Sequence, residues 1–159
     1  MVEPIVVTLE LPSYLTKYLL KVYGPQTPIK FKHQSLYNRY LIRKAGIKPR
    51  VPTQITLKYR PSKIDVCVPF NLWKDPRVYN YLSREDQQAL RLEIASDFKT
   101  DYVTFIKLKM KEGLTRKDST LLFMFLYNIS DRDYSFDAIY RHFSRMLNDR
   151  RLCYSESPL

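Results

Sequence analysis

"VTLELPSYLTKYLLKVYG", residues 7–24, changes its period halfway along. Ile5, Val7, Leu9 and Leu11 recur at every second position, the period of a strand with one buried face. After Pro12, the residues Tyr14, Leu15, Tyr18, Leu19, Val22 and Tyr23 gather on one side of a helix. Lys17 and Lys21 stand one turn apart on the other side. Ser13 reads as the N-cap, Gly24 as the residue just past the last turn, and Pro25 as the stop. A strand running straight into a helix points to an α+β chain.

The following segments extend that class. "SLYNRYLIRKAG", residues 35–46, reads as a second helix capped by Ser35 and ended by Gly46. Leu36, Tyr37, Tyr40 and Leu41 form its apolar side, and Arg39 and Arg43 stack opposite. "TQITLKYR" (53–60) and "IDVCVPF" (64–70) alternate, so they read as a hairpin turned by "PSK". Ile55, Leu57, Tyr59, Ile64, Val66, Val68 and Phe70 then point inward, with Lys58 and Arg60 outward. Residues 71–82 read as a connector whose aromatics, Trp73 among them, pack across the core.

The rest is helical in pattern. Residues 83–113 open with Ser83 and Asp86 at capping-box spacing and carry Leu90, Ile94, Phe98, Tyr102, Phe105 and Ile106 in helical phase. A break near Thr100 fits the pattern too, because "FIKLKMK" also alternates with period two. Thr115 and Asp118 open the next helix, whose "LLFMFLY" run is apolar all round and predicts a buried centre. The last helix carries Phe136, Ile139, Tyr140, Phe143, Met146 and Leu147 on one stripe, with Arg141, Arg145 and Asn148 on the other side. The expected organisation is a basic sheet-and-helix region at 1–70, a connector at 71–82, a helical region at 83–150 and a tail at 151–159, in one compact unit. The expected fold class is α+β: a small antiparallel sheet with two basic helices, followed by a helical C-terminal region.

Charge supplies the functional signal. The 159 residues carry a formal net charge of +11. Residues 1–63 hold twelve Lys and Arg against Glu3 and Glu10 alone. Between Glu10 and Asp65 there is no acid at all. A dense cationic surface matches a row of phosphates, whose neutralisation releases counterions. The expected partner is therefore a nucleic acid, DNA first. Its expected contacts are Lys17, Lys21, Lys32, Arg39, Arg43, Lys44, Lys48, Arg50, Lys58 and Arg60 in the first half, with Arg141 and Arg145 in the last helix. Tyr37 and Tyr40 either stack on unpaired bases or lie in the core beneath a solvated basic face. The alternatives are an acidic protein docked on the same face, or a basic face that is merely solvated.

Residues 5–46, with "VTLELPSYLTKYLLKVYG" and "SLYNRYLIRKAG", resemble a ribbon-helix-helix DNA-binding unit. That resemblance implies two chains pairing their strands in the major groove, hence a homodimer. Residues 101–148, through "DYVTFIKLKMKEG", "RKDSTLLFMFLYN" and "FDAIYRHFSRMLND", resemble a helix-turn-helix core. It implies that the last helix is the recognition helix, presenting Arg141, Arg145 and Asn148.

Catalytic signals are sparse. Glu93, Asp97 and Asp101 follow one another at four-residue steps, which suits a divalent-metal nuclease, an acidic outer face or a docking face for the basic first half. His33 and His142 have no partner nearby in sequence, and three glycines make no phosphate-cradling loop. Cys67 and Cys153 form neither a zinc spacing nor a disulfide framework. No signal peptide or membrane-spanning run is visible. The expectation is a cytoplasmic, non-enzymatic nucleic-acid binder without cofactor, metal site or membrane partner. By analogy of size and charge, it suits a regulator or accessory factor of a phage or mobile element.

Overall fold

The computed structural model describes residues 5–51, 56–70 and 73–148. The chain divides into two units, residues 1–95 and 96–159. In chain order the elements are β1 (Val6–Pro12), α1 (Ser13–Tyr23), α2 (Leu36–Lys44), β2 (Pro61–Cys67), α3 (Arg84–Lys111), α4 (Arg116–Leu126) and α5 (Phe136–Asn148). The class is α+β, with one antiparallel sheet of two strands and five helices among the described residues.

In the first unit, β1 pairs antiparallel with β2, from Val6 opposite Cys67 to Pro12 opposite Pro61. The alternation read from the sequence holds: Val7, Leu9 and Leu11 are buried, and Thr8 is exposed. Two prolines close the ladder together, where the absence of N–H groups costs nothing. Helix α1 begins at once after Pro12, which has no side-chain acceptor, so the helix has no side-chain cap; Ser13 is its first residue rather than its N-cap. Leu15, Tyr18 and Leu19 are buried, but Val22 of the expected apolar face is exposed. The chain leaves α1 through Gly24 at φ 106°, a conformation that L side chains rarely adopt.

The expected hairpin is corrected. Residues 61–63 are not a turn but the start of β2, and residues 56–60 form no strand; residues 53–55 lie outside the described residues. Pairing β2 with β1 puts Ile64 and Val66 beside Leu9 and Val7, so both alternating faces are buried together. Ile29 adds a bridge on the other edge of β2, donating to the Asp65 carbonyl at 2.9 Å and accepting from the Cys67 amide at 2.8 Å. Tyr59 is half-buried and donates its hydroxyl to the Glu10 carbonyl at 3.0 Å. Phe70 and Trp73, expected inside, are 76% and 90% exposed. The core of this unit is completed by Phe31, Tyr37, Leu41, Leu82, Leu90 and Ile94.

Helix α3 runs through Thr100 without a break. The Thr100 hydroxyl bonds back to the Ser96 carbonyl at 3.1 Å and leaves the helical ladder in place. "FIKLKMK" is helical, because the four-residue steps Leu90, Ile94, Phe98, Tyr102 and Ile106 all find burial and a period-two face does not.

In the second unit the expectation for α4 is corrected. Its buried face is Ser119, Thr120, Phe123 and Met124, while Leu121 and Phe125 are 47% and 81% exposed. The two buried hydroxyls are satisfied by the carbonyls one turn back, Ser119 to Thr115 at 2.8 Å and Thr120 to Arg116 at 2.9 Å. Thr120 also meets the buried Tyr102 hydroxyl at 2.8 Å. The Phe123 ring then sits among Phe98, Tyr102, Phe105 and Tyr127, with centroids 4.3–5.6 Å apart. Arg116 ties α4 to α5: its guanidinium lies 4.3 Å from the Tyr140 ring centre and donates to the Tyr140 carbonyl at 3.1 Å and to Ser144. The acids before α5 are used locally. Asp131 accepts the Phe136 amide at 2.8 Å, and Asp133 accepts from Ser130.

Candidate nucleic-acid interface

Helix α2 is anchored from below. Ser35 accepts the Asn38 amide at 3.1 Å as N-cap, and the buried Asn38 donates to the His33 carbonyl at 3.0 Å. Tyr37 and Leu41 enter the core. At 3.6 residues per turn, Arg39 and Arg43 must then lie outward, one turn apart, and both are exposed.

Polar contacts fix α2 against its neighbours. The Tyr40 hydroxyl donates to the Asp86 carbonyl at 3.1 Å, and Lys44 pairs with the Asp86 carboxylate at 3.3 Å. Lys74 donates to the Arg43 and Ala45 carbonyls, each at 3.0 Å, and so satisfies the open end of the helix. Asp86 is itself held by Ser83, whose hydroxyl donates to its carboxylate at 2.7 Å and, as the N-cap expected from sequence, accepts its amide at 3.1 Å. Burial pushes the Asp86 carboxyl up. The hydrogen bonds from Ser83, Lys44 and Tyr40, with the Lys44 charge, outweigh that and leave it below the usual carboxylate range. Tyr40 is pushed above the usual phenol range, by burial first and then by the Asp86 charge and hydrogen bond.

Between α2 and residues 89–93 of α3 lies an open groove of about 540 Å³. Leu36, Tyr37, Arg39, Tyr40, Arg43, Ala89, Leu90 and Glu93 line it. Leu36, expected on the apolar side of α2, is 66% exposed at its rim. Among the described residues neither Arg39 nor Arg43 forms an ion pair, whereas Lys44 does. The volume lies within the ~300–1,000 Å³ range of small-ligand clefts.

The other expected contacts are scattered. Lys21, Lys32, Lys48, Arg50, Lys58 and Arg60 are exposed, and Lys17 is half-buried on α1. None of them lines the groove. Tyr37 is corrected as a base-stacking residue: it is 4% exposed, with its ring 5.1 Å from that of Phe31. Arg141 and Arg145 are exposed on α5 and, with His142, line an open hollow of about 320 Å³ in the second unit. Partial burial, then the charges of Lys99 and Arg145, push the His142 imidazole down.

Glu93, Asp97 and Asp101 are all exposed on α3. Among the described residues no three His, Cys, Asp or Glu side chains come together as a metal ion would need. Among those residues, no helix is long and apolar enough to cross a membrane. Glu10, one of the two acids of the basic stretch, is ion-paired to Arg84. Of the far wall, the sequence places Leu90 in the buried phase of α3 and Glu93 among the three acids able to face the basic half, but nothing local to α2 signals that Ala89, Leu90 and Glu93 are the residues across from it. Comparison with protein-family models, curated proteins and solved structures finds no match for this chain.

Proposed function

We propose that the protein is a non-enzymatic nucleic-acid-binding protein, with DNA as its first partner, acting through the basic first unit. The observation that carries this reading is the pair Arg39 and Arg43, exposed one turn apart on a groove and free of ion pairs among the described residues. Residues 1–95 hold sixteen Lys and Arg against seven Asp and Glu, so the groove sits in a unit of net positive charge. Arginine forks suit phosphate oxygens and base edges alike. The ribbon-helix-helix and helix-turn-helix resemblances support DNA, and a homodimer enters through the first of them. A cytoplasmic regulator or accessory factor of a phage or mobile element remains the biological setting we propose.

The test is an anisotropy titration with duplex DNA, single-stranded DNA and RNA at two salt concentrations. Binding through phosphates predicts a log–log slope of roughly −0.9 per neutralised phosphate on duplex and −0.7 on single strands. Affinity that is flat in salt refutes the proposal. A protein partner is the second reading, and the observation favouring it is the bare Leu121 and Phe125 face of α4. In that case the titration shows no salt-dependent oligonucleotide binding, and a variant with both residues changed to Ser loses its protein partner.

A further inference from the structure

The groove has a feature that phosphate binding alone does not use, a carboxylate opposite two arginines. A site built only for a phosphate row gains nothing from Glu93, which would repel the backbone. Glu93 nonetheless lines the same cavity as Arg39 and Arg43. The other walls are those of a base pocket. Tyr40 has its hydroxyl committed to Asp86 at 3.1 Å, so it offers the groove a ring held in place. Leu90 is 1% exposed and Tyr37 4%, and together they close the bottom with apolar surface. Leu36 adds an exposed apolar rim.

Resting on the nucleic-acid reading above, we propose that this groove receives one unpaired base of a single strand, with guanine preferred. Arg39 and Arg43 hold the flanking phosphates, and Glu93 accepts hydrogen bonds from the edge of the base. A carboxylate is acceptor-only. Guanine presents two adjacent N–H donors on its pairing edge and matches it. Thymine presents two carbonyls flanking a single N–H and is repelled. Adenine and cytosine each offer one amino group and fall between. A base in a duplex cannot enter without being unpaired and extruded, which costs affinity.

The experiment compares the full chain on fluorescent single strands of equal length, a thymine tract with and without a central guanine, and on the duplex of the guanine strand. The expected result is about tenfold tighter binding to the guanine strand than to the thymine tract, and weaker binding to the duplex. Glu93→Gln should bring the two single strands within about twofold, because an amide both donates and accepts. Its thermal melt should be unchanged, since Glu93 is exposed. Guanosine monophosphate serves as competitor. Competition at micromolar levels identifies a free nucleotide as a sufficient ligand of the same pocket. Competition only at millimolar levels identifies the strand. Salt-dependent binding to every oligonucleotide, with no guanine preference and no effect of Glu93→Gln, overturns this inference and leaves the nucleic-acid reading standing. Failure to bind any oligonucleotide overturns both.

Discussion

The hydroxyl of Tyr40 donates to the backbone carbonyl of Asp86 at 3.1 Å, joining the middle of α2 to the first turn of α3. Arg39 is the residue before Tyr40 and Arg43 the next turn on, so this bond sets where both guanidinium groups stand relative to the groove. Tyr40→Phe removes the bond and keeps the ring. We expect a loss of about 0.5–1.5 kcal/mol in urea unfolding. Oligonucleotide affinity should fall less than in variants of the arginines themselves.

Arg39→Ala with Arg43→Ala removes the two exposed cations and no ion pair among the described residues. Stability should change by less than about 0.5 kcal/mol. Affinity for nucleic acid should drop by about tenfold or more, with a shallower salt slope. Unchanged affinity with a large loss of stability would mean that the pair ties the fold together instead.

Asp86 gives the protein an acid-sensitive joint. Its folded pKa is depressed, so its contribution is present above the unfolded value of ~3.9 and is lost as pH falls through the folded value. Asp86→Ala loses the capping partner of Ser83 and the Lys44 ion pair together. The expected cost at pH 7 is about 1–2 kcal/mol, discounted for the partial exposure of both charges. Urea midpoints of the variant and the parent should converge as the pH falls below the unfolded value of ~3.9 and through the lower folded one.

The two faces of α4 separate cleanly by mutation. Phe123 is fully buried among four other aromatic rings, and Phe123→Ala should cost about 3–5 kcal/mol. Phe125, two residues on, is 81% exposed, and Phe125→Ser should change stability by less than about 0.5 kcal/mol. Equal losses would place the run "LLFMFLY" inside on all sides, as its composition alone suggests. Thermal melts of the two variants decide.

Local chemistry determined a large part of this protein without any long-range information. Ser35, Ser83 and Thr115 mark helix starts because a hydroxyl there reaches an amide three residues on, and each does so in the structure. The two-residue period of Val7, Leu9 and Leu11 and the outward phase of Arg39 and Arg43 follow from backbone geometry alone. What only the tertiary structure decided is the identity of partners distant in sequence. Both 53–60 and 64–70 alternate, and alternation says that a strand has an inner face, not which strand lies beside it. β2 joined β1 because that pairing buries Ile64 and Val66 with Leu9 and Val7. An all-apolar run cannot say which of its sides will find neighbours; for α4 the choice fell on Phe123 and Met124, below Ser119 and Thr120, whose two hydroxyls are satisfied one turn back. The groove is of the same kind. Its arginines are readable in residues 35–46, but Ala89, Leu90 and Glu93 reach them only because Tyr40 and Lys44 meet Asp86, over forty residues further along the chain.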